Sequence, residues 1–294
     1  MRFIRFIAGE FLLRGLALAL GGTCVLAFLY LVSIGAPAES YARAASSFAQ
    51  LVTGSEDFSA AHPGFSAARI IASGAAVTLP LALVSLFFLC VASFALAASS
   101  AAARYMRDRH SAKGLAAASR AGDFVSSALA ACPLFVGFWA LAQAFGSETP
   151  FPLIALVTVL LGGLAWDAAR FLASDMLAQA ETTHAVVFGT LGNPLGSFFP
   201  MPGTYSGYLF SSSLPRFLPY LAGKVPAIIG SVTIAEIVFS FPGLGSTLLD
   251  ALLATNTDLL VASVFILLCV NAVVTFGVKT ILFLVYPRWY EKSV

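Results

Sequence analysis

Charge is what this chain has least of. Lys, Arg, Asp and Glu together make up 10% of its 294 residues, against about 25% in a soluble globular domain. With 59% hydrophobic residues and a mean hydropathy of +0.91, it holds more apolar surface than its own core can hide. The composition reads as an integral membrane protein. The polar/apolar alternation of a transmembrane barrel is missing too. A net charge of +2 is too small for a nucleic-acid-binding surface. There is no HExxH, no GxSxG, no Walker A lysine and no Ser/His/Asp set on plausible neighbouring elements, so no catalytic residue is assigned and the chain is not read as an enzyme. Cys24, Cys90, Cys132 and Cys269 each sit in a separate apolar run without CxxC or Cys/His spacing. They read as buried thiols, not metal ligands. His62, His110 and His184 fall between the apolar runs and read as solvent-exposed.

What is abundant is long apolar sequence. Six runs, 11–34, 70–98, 124–146, 151–172, 223–242 and 258–285, match the roughly 20 residues that span a bilayer as a helix. The first outlasts the about 7–15 residues of a signal-peptide core. It is therefore expected to stay as a membrane helix, although Ala36-Pro37-Ala38 mimics a cleavage site. With the N-terminus inside, cytoplasmic segments hold Arg2, Arg5, Arg14, Arg104, Arg107, Arg109, Lys113, Arg120, Arg170, Arg216, Lys224, Lys279, Arg288 and Lys292, and external ones only Arg43 and Arg69. That bias sets both termini in the cytoplasm.

Three connections stand out. Residues 35–69 form an external segment with Glu39, Glu56, Asp57 and His62. Residues 99–123 form a basic cytoplasmic loop, explained by topology and by attraction to anionic lipid. Residues 173–222 form the longest connection, also cytoplasmic. Its Phe198, Phe199, Tyr205, Tyr208, Leu209, Phe210, Phe217 and Tyr220 argue for a partly helical piece near the membrane surface. Small residues over 92–103 and 116–131 allow close helix approach.

The segment with most information runs from Ala235 to Gly245. Glu236 lies inside an apolar run that ends at Pro242-Gly243-Leu244-Gly245, where Pro and Gly stop a helix and turn the chain. An ionisable residue at such depth is costly in lipid and marks a functional or packed interior position. This block resembles the C-terminal signature of the dipeptide/oligopeptide-type ABC importer permeases, in which a Glu precedes Phe-Ser-x-Pro-Gly-Leu-Gly. The likeness extends to the Met-Arg-Phe-Ile-Arg-Phe opening, Thr78-Leu79-Pro80-Leu81-Ala82-Leu83, Asp123 with Ser126 to Phe135, Ala169-Arg170, Asp250-Ala251 and Asn271 to Tyr286-Pro287-Arg288.

The resemblance implies an all-α permease domain over residues 1–294, of the type I ABC importer fold, in a bacterial inner membrane. It implies a second permease, related or identical, two cytoplasmic ATPase subunits that carry ATP and Mg, and an external solute-binding protein. This chain would bind no cofactor and would pass peptides, nickel chelates or similar small solutes. Arg170, Glu236, Pro242, Gly243, Gly245, Asp250, Pro287 and Arg288 stand at the family's signature positions. The family docks its ATPase through the loop after the fourth span. Matching that loop sets Gly192 on its glycine, Pro215 on its later proline and Ser211 near its Asn, while His184, Gly189 and Gly207 replace its Tyr, Arg and His. With those charges gone, docking through aromatic anchors such as Tyr208 or Phe210 is expected, or else a scaffold or assembly subunit that kept the fold and lost ATPase coupling. Glu236 is read as bracing a helix end by hydrogen bonds to backbone, with a substrate or proton site as the alternative. Asp167 and Arg170 have same-face spacing, and Asp250 and Asp258 either solvate an external loop or meet a cationic solute or binding protein.

Overall fold

The structure is a computed structural model that describes residues 2–32, 67–110, 122, 124–146, 149–190, 203–254 and 257–285. All regular elements among the described residues are helices: α1 Arg2–Val32, α2 Ala67–His110, α3 Phe124–Ala131, α4 Leu134–Phe145, α5 Phe151–Leu160, α6 Leu164–Ala180, α7 Thr183–Thr190, α8 Tyr205–Gly223, α9 Val225–Phe239, α10 Leu244–Leu253 and α11 Thr257–Val285. Two helical stretches, Ala72–Ser100 and Ser263–Ile281, are long and apolar enough to cross a membrane, and up to five spans result if each bent helix pair counts as one. The described residues are therefore those of an all-helical membrane protein.

The expected spans differ from these helices in instructive ways. The second run does not stop at residue 98, because its Ala-rich end has the strongest helix propensity and carries α2 on to His110. The third is broken between α3 and α4 by 84° at Cys132-Pro133, where the imide nitrogen cannot donate and its ring blocks a straight helix. The fourth bends by 57° between α5 and α6. Gly162 and Gly163 take φ of 79° and 86° there, a region that costs side-chain-bearing residues energy. Trp166 Nε1 spans the break, donating to the Leu160 carbonyl at 2.9 Å. The long connection is largely helical, since α6 continues to Ala180 and is followed by α7 and α8. Cys90, Cys132 and Cys269 are half-buried.

The chain divides into two compact units, Met1–Ala82 with Ile229–Thr280, and Leu83–Ile228 with Ile281–Val294. In the first, Leu244 is fully buried against Ala75, Ile266 and Leu267. Gly21 and Gly22 of α1 face Leu268 and Phe265 of α11. An ion pair links the same helices, Lys279 Nζ donating to Glu10 Oε1 at 2.7 Å, with Arg14 3.7 Å from Glu10 Oε2. In the second, Gly137 of α4 lies so close to Leu161 that a methyl group would overlap it. Phe94 of α2 holds Phe210 and Phe217 of α8 at ring separations of 4.9 and 5.5 Å. Along α2 the buried positions Gly74, Thr78, Leu81, Ser85, Leu89, Ser93 and Ala97 recur every three or four residues, which makes one helix face.

Candidate functional site

The Glu236 carboxyl is completely buried. Helix α9 ends three residues later, and Ser240 takes a left-handed φ of 54° that reverses the chain. The Phe241 N–H then donates back to the Glu236 carbonyl at 2.9 Å. This reversal brings the start of α10 over the Glu236 side chain. The first N–H groups of a helix have no partner within it, and Gly243, at the N-cap of α10, has no side chain to offer them. Two residues from other helices take that role. The Gly245 N–H donates to Glu236 Oε2 at 2.7 Å, and the Leu244 N–H donates to the Thr78 hydroxyl at 2.9 Å. Thr78 Oγ1 lies 2.6 Å from Glu236 Oε1 and 3.1 Å from the Gly74 carbonyl, with one hydrogen to give to either acceptor.

The node ties α2, α9 and α10 together, and the partial positive charge of the α10 N-terminus faces the carboxyl. Gly243 and Gly245 are what allow it. A methyl group on Gly243 would overlap the Glu236 carboxyl, and one on Gly245 would lie 2.8 Å from the Thr233 Cα and from Glu236 Oε2. The carboxyl is enclosed and both oxygens are engaged, in an arrangement that caps α10 and braces it against α2 and α9.

Ser240 is the one described non-glycine residue with positive φ. A non-glycine residue held there costs on the order of 1 kcal/mol. Replacing Ser240 by Gly is expected to raise the stability of the detergent-solubilised chain by up to about 1 kcal/mol, less the extra freedom glycine has in the unfolded chain, read from its thermal melting. A lower melting point would show that the serine is not strained.

The loop residues are placed differently from a free docking strand. Tyr208 stacks on Phe188 of α7 with ring centroids 4.9 Å apart, and Phe210 packs on Phe94. Gly207 and Pro215 are buried, and Ser211 is exposed. The Gly207 N–H donates to the Thr204 hydroxyl at the N-cap of α8. Arg170 donates to the Ser126 and Ser127 hydroxyls at 3.0 and 3.3 Å, so its guanidinium holds α3 to α6. Pro242 and Asp250 are exposed, and Gly192, Asp123, Tyr286, Pro287 and Arg288 lie outside the described residues. Sequence reasoning passed over the residues that α7 does present. Val186 and Val187 are each 53% exposed beside an exposed His184, while Ala185 is buried. Two adjacent valines on an eight-residue helix gave no signal apart from their neighbours in an apolar chain.

No protein-family model matches the chain. Over 64 residues it is 31% identical to the oligopeptide transport system permease protein AmiC of Streptococcus pneumoniae serotype 4 (strain ATCC BAA-334 / TIGR4), and equally to the protein of that name in strain ATCC BAA-255 / R6. The similarity spans 22% of this chain and 13% of those relatives. The chain is thus a membrane protein, helical throughout its described regular elements, with partial similarity to a transport permease.

Proposed function

We propose that this chain is a permease subunit of an ABC importer, lying in a bacterial inner membrane with six spans and both termini in the cytoplasm. It would line the path of a peptide or similar small solute with a second permease. Two ATPase subunits would hydrolyse ATP, and an external binding protein would deliver the solute. The observation that carries the reading is the 31% identity over 64 residues to a protein named as an oligopeptide transport permease. The α9–α10 node agrees with it, since Glu236 and the Pro-Gly-x-Gly turn that the resemblance singled out act as one cap. ATP binding and solute delivery would each favour a different helix arrangement and shift the population between them.

In this reading α7 is the part that meets the ATPase. Its uncovered Val186 and Val187 are the contact, with Tyr208 and Phe210 holding α7 and α8 in place from behind. Mild-detergent purification of the tagged chain from its host, with mass spectrometry of what accompanies it, is the test. ATPase subunits in stoichiometric amount support import, whereas a complex without them favours a scaffold that lost coupling. The Val186→Asp/Val187→Asp double variant is expected to retain about tenfold less ATPase subunit, a loss of roughly 1.4 kcal/mol. Its elution profile should be unchanged, because both side chains are half exposed. Full retention would exclude this face as the contact.

A further inference from the structure

Helices α6 and α8 are joined by a ladder with a regular step. Asp167 Oδ2 lies 3.4 Å from Lys224 Nζ. One turn along α6, Phe171 stacks on Tyr220 with centroids 4.2 Å apart and rings 3° from parallel. A further turn along, Asp175 Oδ1 accepts from Arg216 at 3.0 Å. Each advance of four residues on α6 matches a retreat of four on α8, which makes the pair antiparallel and in constant register. Lys224 also stands 5.2 Å over the Tyr220 ring, linking two rungs. Both acids are on α6, and the bases are Arg216 on α8 and Lys224 at its C-cap. Beyond the last ion pair the seam passes to α7, where Phe188 meets Tyr208.

We propose that this ladder locks the register of α6 and α8, so that α6, α7 and α8 move as one rigid hairpin with α7 at its tip. Asp175 and Arg216 are its principal positioning residues. A slip of one turn would set Asp175 against Tyr220 or Ser212 and dissolve both ion pairs. Asp175 makes the slip costly, because its side chain is only 9% exposed and its buried Oδ2 has no hydrogen-bond partner among the described residues. The carboxylate therefore relies on Arg216. The outer Asp167–Lys224 pair is more exposed and adds less. The role given to α7 rests on the importer reading above, while the lock itself rests on the ladder alone.

Two spin labels decide it, at the exposed Ser174→Cys on α6 and the exposed Ser211→Cys on α8, in the full chain with Cys24, Cys90, Cys132 and Cys269 replaced by Ala. Pulsed electron–electron resonance should give one narrow distance in detergent. The same distance should persist in the purified complex with Mg-ATP and with Mg-ADP-vanadate. A change of about 5 Å, one helical turn, or a broad distribution in the parent chain would overturn the lock. Arg216→Glu should broaden the distribution or add a second peak, and the charge swap Asp175→Arg/Arg216→Asp should restore a single peak. A variant as narrow as the parent, or a swap without rescue, would also overturn it. Should Arg216→Glu not fold, the milder Arg216→Gln at this half-exposed position gives the same comparison. If no ATPase subunit co-purifies, the importer reading falls, and the distance in the isolated chain still decides the ladder.

Discussion

Replacing Glu236 by Ala is expected to remove on the order of 3–5 kcal/mol of stability from the solubilised chain. Three losses combine. The Gly245 N–H loses its buried partner at 2.7 Å, at about 1–3 kcal/mol for a group left unsatisfied, while the Thr78 hydroxyl falls back on the Gly74 carbonyl. The removed atoms leave a cavity in a completely buried place, which adds to the loss. The α10 N-terminus also faces an apolar hole instead of a carboxyl. Glu236→Gln is the informative control. Its amide oxygen can accept from Gly245 and its amide nitrogen can donate to Thr78, so a loss of about 1 kcal/mol is expected. Melting curves in one mild detergent, followed by size-exclusion chromatography, compare the two. If Ala and Gln behave alike, the carboxyl does not hold this node.

Gly245→Ala is expected to be the second severe change, at roughly 3 kcal/mol. The new methyl group would lie 2.8 Å from the Thr233 Cα. Backbone in a packed helix cannot swing aside as a side-chain end can, so α10 would have to move away. That movement stretches the bond from the Gly245 N–H, joining an overpacking cost to a capping cost. Gly230→Ala on α9 is the matched control, with nothing within 4 Å of the added atom. There the alanine should be neutral or stabilise by up to about 1 kcal/mol through helix propensity. Equal melting points for the two variants would refute the steric account.

The apolar runs were legible because hydropathy reports what lipid tolerates, and helices cover most of their described residues. The breaks inside them were less so. Cys132-Pro133 and Gly162-Gly163 have the same apolar composition on both sides, and proline or glycine alone does not distinguish a gentle kink from bends of 84° and 57°. The turn after Glu236 was legible, since Pro242 and Gly243 cannot continue a helix. Its partner was not. Thr78 stood out in its own motif, but nothing in one sequence pairs it with a residue 158 positions away. The α6–α8 ladder escaped notice for a related reason. Asp167 was weighed against Arg170 on its own helix, whereas its cation in the structure is Lys224. Cross-helix pairing depends on antiparallel register, which the spacing within one helix does not contain.

Thr78 and Glu236 are also separated in time. At about 5–20 residues per second, a ribosome would take roughly 8–32 s to cover the 158 positions between them. Throughout that interval Thr78 exists without its carboxyl and without the Leu244 N–H. The Gly74 carbonyl, one turn back on α2 and 3.1 Å from the hydroxyl, gives the hydrogen somewhere to go while the rest of the chain is made. Threonine at this position lets α2 enter the bilayer with its polar group already satisfied, and the same hydroxyl turns to a new neighbour when the C-terminal half arrives.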